Sequence, residues 1–408
     1  MGSSLTPRAR VAHRRRARGR DGAPEVDANP GGRAAAGGRL AGKLAPMSIY
    51  RGDAELRHDE GAVGVLVAHL GTPDAPTAPA LRRYLRQFLS DPRVIELPRW
   101  KWLPILHLFV LTTRPRKSAA LYAKIWTAEG SPLLVLTNKL AAAIGDHLRA
   151  RVAERLHVAV GMRYGNPSMA SALRALADAG CRRILVFPHY PQYSGTTTAS
   201  TFDALFAELS TWRWLPELRT VDDYHDDPGY VRALAASIRD SWRQRGRSEK
   251  LLLTFHGVPR RYVDGGDPYF VQCQRTAQLV ADELGLAADD YQVTFQSLFG
   301  KEEWLRPYTD ETMKRLGSQR LASVDVLCPG FSVDCLETLE EIDGLNREIF
   351  THAGGGEYRY IPCLNDRPDH VAALAEVALR HLAGWVTPAA TSGVPASSSE
   401  PQPTLAVR

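Results

Sequence analysis

Short apolar runs alternate with longer stretches of helical periodicity along most of this chain. The runs at 63–68, 158–162, 184–187, 251–255, 293–295 and 324–327 predict strands. Helical spacing at 80–89, 135–149, 168–179, 230–244, 268–284 and 334–346 predicts a helix after most of them. The connections are short and studded with Gly and Pro, as βαβ units require. This alternation predicts an α/β protein built on parallel sheets.

The ends of the strands match in pairs. Ala68-His69-Leu70-Gly71-Thr72-Pro73 parallels Phe255-His256-Gly257-Val258-Pro259, and Phe187-Pro188-His189-Tyr190-Pro191 parallels Leu327-Cys328-Pro329-Gly330-Phe331. Gly161-Met162-Arg163-Tyr164-Gly165 likewise parallels 295–300. The pairing predicts two similar doubly wound halves, 47–222 and 223–387, meeting near 222–229. Ligands of such folds sit at the carboxyl ends of the strands, so these motifs should line one cleft.

The first half carries an insertion at 85–132. Trp100-Lys101-Trp102-Leu103-Pro104-Ile105-Leu106-His107-Leu108-Phe109-Val110-Leu111 is followed by Arg114, Arg116 and Lys117. The stretch is too short to span a bilayer. It suits a lip that dips into a membrane interface or covers an apolar ligand, with Trp102 and Leu106 carrying the contact. The competing reading makes both side chains ordinary core.

Composition changes the picture chiefly at the ends. The chain has 408 residues, 44% of them hydrophobic, enough for about two domains. Its formal charge of +6 is largely local to the Arg-rich, acid-poor residues 1–46. These have no apolar periodicity and read as a disordered extension, from an over-extended start before Met47 or, alternatively, an organelle transit segment. The low-complexity tail 388–408 also reads as disordered. Without these ends the charges nearly balance, so no nucleic-acid partner is expected. Five cysteines with no CxxC pair point to a reducing compartment rather than a disulfide or zinc framework. No run reaches the roughly 18 apolar residues of a membrane span, and the expected location is cytoplasmic, at most peripheral to the membrane.

Two motifs concentrate the chemistry. His256 ends an apolar strand just before Gly-Val-Pro, where loops carry ligand sites. Asp334-Cys335-Leu336-Glu337-Thr338-Leu339-Glu340-Glu341 follows another strand and opens a helix crowded with carboxylates. Asp334-x-x-Glu337 is a capping-box pattern in itself. Capping does not account for Asp334, Glu337 and Glu341 falling on one helical face, which beside an imidazole would make a metal or proton path. A third segment, Tyr190 to Thr198, is rich in aromatic and hydroxyl groups but lacks the Lys and Gly spacing of nucleotide sites. No Gly-x-Ser-x-Gly elbow suggests a nucleophilic hydrolase.

Together these residues resemble the ferrochelatase family, from about 63 to 382. The resemblance rests on Leu70-Gly71-Thr72-Pro73-Asp74, Phe88-Leu89-Ser90-Asp91, Gly130-Ser131-Pro132-Leu133, Met162-Arg163-Tyr164, Tyr190-Pro191-Gln192-Tyr193-Ser194, Thr254 to Pro259, Gly266-Asp267-Pro268-Tyr269 and Asp334 to Leu339. The detail looks like the Gram-negative bacterial branch. It implies two Rossmann-like halves around a cleft, as in type II chelatases, and insertion of Fe²⁺ into protoporphyrin IX with release of two protons, the last step of haem synthesis. By the resemblance, His256 and Glu337 handle metal and protons, and Asp334 starts an acidic relay. Cys335 stands where some relatives have histidine. Leu70 faces the macrocycle opposite His256. Arg114, Tyr122 and Ser131 fall where relatives hold propionates, Arg163 and Tyr164 line the cleft, and Tyr193 lies near its inner wall. Gly195 follows Ser194, where cluster-bearing relatives have cysteine, so no iron–sulfur cluster and no tightly bound cofactor are expected. The partners expected are protoporphyrin IX and Fe²⁺, with weak membrane contact, in a monomer. The alternatives are a chelatase for a more polar tetrapyrrole such as sirohydrochlorin, and a non-catalytic porphyrin carrier that would not need the His256–Glu337 pair.

Overall fold

Among the described residues, eight strands form two four-stranded parallel sheets of the same topology. The computed structural model describes residues 50–52 and 61–389; the expectations for 1–46 and for most of 388–408 lie outside them. β1 (Ala62–Thr72), β2 (Arg155–Gly165), β3 (Arg183–Pro188) and β4 (Glu217–Thr220) assemble in the order β2-β1-β3-β4. β5 (Lys250–His256), β6 (Tyr291–Gln296), β7 (Ser323–Leu327) and β8 (Glu357–Tyr360) repeat it as β6-β5-β7-β8. The strand ends that matched in sequence therefore occupy matching places: β1 with β5, β2 with β6, and β3 with β7.

β1 is central to its sheet, and Ala62 to Ala68 are all buried. Its pleat divides them. Val63, Val65 and Val67 join a core that also takes Leu251, Leu253 and Phe255 from the second half. Leu66 and Ala68 turn to a separate cluster with Leu173 and Leu205. A strand covered on both faces reads as an unbroken apolar run. Two of the four edge strands, β4 (Glu-Leu-Arg-Thr) and β8 (Glu-Tyr-Arg-Tyr), are short and mix polar residues, and are missing from the sequence reading for that reason.

Between β1 and β2 run α1 (Ala78–Leu89), α2 (Arg99–Ile105), a wide π-helical turn at Leu106–Val110, α3 (Leu111–Ile125) and α4 (Pro132–Arg149). The first half is completed by α5 (Met169–Asp178), a π-turn at Gly195–Ala199 and α6 (Ser200–Leu209). α7 (Pro228–Arg245) leads into the second half, where the connection between β5 and β6 holds only α8 (Arg260–Asp264) and α9 (Tyr269–Leu284). That half is completed by α10 (Thr309–Ser318), a π-helix at Glu337–Asn346, α11 (Arg347–His352) and α12 (Pro368–Leu382). α12 returns across the junction and packs on α4, β3 and α7.

The lip expectation needs correcting at two residues. Trp102 and Leu106 are buried, and the Trp102 indole donates to the carbonyl of Leu89 at 2.6 Å. The exposed residues are instead Trp100 (75%), Leu108 (66%) and Phe109 (66%). The amphipathic stretch is real, and its phase is turned from the one expected.

Three histidines are buried where the halves meet: His69 at the end of β1, His189 after β3 and His370 in the first turn of α12. Burial holds His69 and His370 down to about 4 and pushes His189 well down, helped by its two neighbours. The unfolded chain titrates its histidines near pH 6.5. It therefore binds more protons than the fold between about 6.5 and 4, and stability falls as pH drops through that window. The three together should cost about 4 kcal/mol per pH unit there. Urea midpoints should fall clearly from pH 6.5 to 5.5; equal midpoints would refute the linkage.

Candidate active site

His256 is the last residue of β5. Its Nδ1 lies 2.6 Å from the carbonyl of Gly257, which accepts the ring proton and leaves Nε2 as the free lone pair. Gly257 in turn donates its N–H to the carbonyl of Gln296 at 2.8 Å. A Cβ at Gly257 would come within 2.9 Å of that oxygen, so the close approach behind His256 requires glycine. The Trp304 ring lies beside the imidazole, with centroids 6.4 Å apart.

The acidic segment is not the capped α-helix that its sequence suggests. Asp334 precedes the π-helix and is buried. One of its oxygens accepts from Thr338 Oγ1 (3.0 Å), Tyr360 OH (2.5 Å) and the Cys363 N–H (3.3 Å); the other accepts from Asn365 Nδ2 at 2.8 Å. The N–H of Asp334, which Glu337 would hold in a capping box, is taken by Asn365 Oδ1 at 2.9 Å. The cap reading fails because a buried carboxylate with four donors has no reason to face the helix terminus. The expected single row is also broken: Asp334 turns to the second half's interior.

Glu337 and Glu341 remain together, within electrostatic reach of each other, and Glu341 also feels His256. Burial raises the Glu341 carboxyl; bonds from Ser297 and attraction to His256 oppose the shift. Its oxygens accept from the Ser297 N–H at 2.7 Å and its hydroxyl at 2.5 Å. Those bonds hold Ser297 at φ 67°, a left-handed backbone that serine rarely adopts. Gln296 donates to the Glu337 carbonyl at 3.3 Å and so links β6 to the π-helix. The wider π pitch sets which of these acids share a face; an α-helical spacing argument cannot.

Glu337 also meets the first half. It lines a small cavity of about 10 Å³ with Leu70, Thr72, Tyr84, Tyr122 and Ser131, room for about one water and not for a macrocycle. Ser131 and Thr72 share a hydrogen bond of 2.8 Å. Burial raises the phenols of Tyr84 and Tyr122, aided by the Glu337 charge, so both remain neutral donors. Leu70 reaches this wall because β1 continues through Gly71, at φ 106°, where a Cβ would collide with the Tyr164 carbonyl at 1.7 Å.

Other expected residues stand apart from this cavity. Arg163 pairs with Asp91 and with Ser200 Oγ at 2.7 Å, and the buried Tyr164 hydroxyl donates to the same Asp91 at 2.7 Å. This network binds the end of α1, β2 and α6 into one wall. Tyr193 is half-buried, its backbone N–H held by Gln272 Oε1 at 2.6 Å. Arg114, on α3, is more informative. Its guanidinium stacks over Phe299 of the second half at 4.6 Å, and its buried Nη1 has no hydrogen-bond partner. Burial alone lowers its basicity, so no carboxylate compensates this cation. An anionic group brought there would find a desolvated partner.

Sequence reasoning passed over Ser297, Gln296 and Trp304. The first two lay in the repeated strand-end motif, which was a usable signal. All five cysteines are buried and free. Among the described residues, only Asp223, His225 and Asp226 bring three potential ligand atoms within 4.8 Å of one another, and they are not part of this site.

The family model described as Ferrochelatase matches residues 62–382. Curated relatives named Ferrochelatase include that of Thioalkalivibrio sulfidiphilus, 55% identical over 352 residues, which cover 86% of this chain and 95% of the relative. That of Hydrogenovibrio crunogenus is 56% identical over 330 residues, covering 80% and 87%. A solved structure, SirB from Bacillus subtilis with Fe³⁺, is similar at TM-score 0.48 and 10% identity, covering 79% of this chain and 96% of that one.

Proposed function

The chain belongs to the ferrochelatase family: it is a metal chelatase that inserts iron into a porphyrin in haem biosynthesis, and from that premise we propose that His256, Glu337 and Glu341 are the groups that do so. The observation that carries the assignment is the meeting of one imidazole and two carboxylates at the ends of β5 and β7. Of the three, Glu337 faces the Leu70 end of β1 across the cavity. A neutral His256 has its Nε2 free for Fe²⁺ or for a pyrrole proton. Glu341, raised by burial, accepts a proton more readily than an exposed carboxylate. A site of few N and O donors suits an ion that must be given up to the macrocycle.

On this reading the porphyrin is protoporphyrin IX, with Leu70 against one face and His256 towards the other. Its insertion displaces two protons. Arg114 would receive a propionate, supported by its unpartnered buried Nη1, while Tyr122 and Ser131, which line the separate Glu337 cavity, would offer further donors. Arg163 and Tyr164 act by holding the wall, and Tyr193 borders it. Asp334 fixes the start of the π-helix through Thr338 and is a positioning residue. Iron serves as substrate; the reading takes the protein without an iron–sulfur cluster, as Gly195 after Ser194 suggests, and as a cytoplasmic monomer. Metalloporphyrin formation from Fe²⁺ and protoporphyrin or coproporphyrin, followed by absorbance, tests the substrate; a clear preference for coproporphyrin would displace protoporphyrin.

No helix among the described residues is long and apolar enough to cross a membrane. The exposed Trp100, Leu108 and Phe109, beside Arg116 and Lys117, support a lip that touches an anionic membrane surface. Replacing Trp100 and Phe109 by Ser should weaken flotation with anionic vesicles several-fold and raise KM for porphyrin more than for iron, with melting unchanged. Trp102→Ser or Leu106→Ser should instead lower stability by about 2–5 kcal/mol. Unchanged flotation in the Trp100/Phe109 variant would remove the membrane role.

A further inference from the structure

The acids of the π-helix take their places from how the chain enters it, and one side chain outside the sequence motifs governs that entry. Asn365, in the turn between β8 and α12, holds Asp334 twice. Its Oδ1 accepts the Asp334 N–H at 2.9 Å, and its Nδ2 donates to Asp334 Oδ2 at 2.8 Å. The bonds from Thr338, Tyr360 and the Cys363 N–H all fall on Asp334 Oδ1, so Oδ2 is met by Asn365. The Asn365 N–H also donates to the Ser332 carbonyl at 3.0 Å. Ser332 Oγ in turn donates to the His189 carbonyl at 3.1 Å and lies 2.7 Å from the Tyr224 hydroxyl. The stretch from Ser332 to Asp334 is thereby pinned to the first half on one side and to Asn365 on the other.

Few residues can make this clamp. It needs a donor and an acceptor side by side, on a backbone at φ 50°, the left-handed region that asparagine and glycine enter most readily. Glycine would keep the backbone and lose the clamp. Aspartate would keep the acceptor and set one carboxylate against another. The asparagine amide instead gives the buried carboxylate a charge-assisted bond, roughly twice as strong as a neutral one. The helix it serves has need of an anchor. At ten residues, Glu337–Asn346, it is far longer than the single turns in which π-helix usually occurs. Asp334 passes the anchor on, because its Oδ1 takes the hydroxyl of Thr338, the residue next to Glu337.

We propose that Asn365 is a positioning residue for iron insertion: by clamping Asp334 it sets the register of the π-helix, and with it the places of Glu337 and Glu341 beside His256. Asn365 itself lines a separate groove with Arg245 and Arg367 and acts only through Asp334. The proposal rests on the reading above in one respect, that Glu337 and Glu341 take part in insertion.

The test is Fe²⁺ insertion by wild type, Asn365→Gly, Asn365→Asp and the double variant Asn365→Asp/Asp334→Asn. Turnover is counted per porphyrin-binding site, titrated by fluorescence quenching, with melting curves alongside. The double variant reverses the clamp: the new amide at 334 keeps its oxygen for the three donors and aims its nitrogen at the carboxylate at 365. We expect turnover per site at least tenfold lower in both single variants, with KM for porphyrin unchanged, and most of that loss recovered in the double variant. Counting per site removes the effect of a smaller folded fraction, and the backbone bonds of position 365 survive every substitution. Wild-type turnover per site in Asn365→Gly overturns the proposal. So does a double variant that melts like wild type yet stays as slow as Asn365→Asp. The glycine variant is decisive even where aspartate prevents folding. Full activity in Glu337→Gln and Glu341→Gln would instead strike the reading of the site itself.

Discussion

Enzyme carrying His256→Ala binds porphyrin and forms metalloporphyrin at least about 10²–10⁴-fold more slowly than wild type, the range for losing a positioned proton acceptor. The imidazole is held by a single backbone contact and half-exposed, so its removal should cost little stability. Gly257 and Gln296 keep their own bond without it. Porphyrin binding followed by fluorescence quenching, beside turnover, separates the two effects. Near wild-type turnover would sink the assignment of His256 and move the metal- or proton-accepting role to another group of the cleft.

A comparable loss is expected from Glu337→Gln, about 10²–10⁴ in turnover, with the melting temperature nearly unchanged. The stability side of this prediction is sharp because the capping role has been removed. The N–H that Glu337 would cap is held by Asn365. If that reading were wrong, loss of a cap would show as about 0.5–2 kcal/mol with activity intact. Glu341→Gln adds a test by pH. Only its carboxylate form accepts a proton, and burial raises its titration above the ordinary range. Wild-type kcat should therefore fall on the acid side at a higher pH than an exposed carboxylate would give. That limb should vanish in Glu341→Gln; an identical profile in both would exclude Glu341.

How far the site could be read from sequence depends on what each residue answers to. β1 and β5 are covered on both faces, so their apolar runs and the ends at His69 and His256 were plain. β4 and β8 lie at sheet edges and mix Glu, Arg, Tyr and Thr, leaving no periodic signal. Glu337 was legible through its neighbourhood, but Asp334 was not. Its partners Tyr360, Cys363 and Asn365 are some 26 to 31 residues away in the chain, and only the tertiary fold brings them close. The same limit explains Trp102. Its indole bonds to the Leu89 carbonyl at the end of α1, and no local repeat shows which face of α2 meets that helix.

The returning helix α12 bears on how the protein is made. It covers α4 and β3 of the first half, yet it lies at the far end of the folded region. A ribosome therefore delivers the first sheet long before the helix that seals part of its face, and Val63, Val65 and Val67 share a core with strands not yet synthesised. Domain-by-domain folding during translation is closed to this chain: the early half must wait, partly uncovered, for the last helix to emerge. Truncations that remove α12 should thus yield aggregation rather than a working first half.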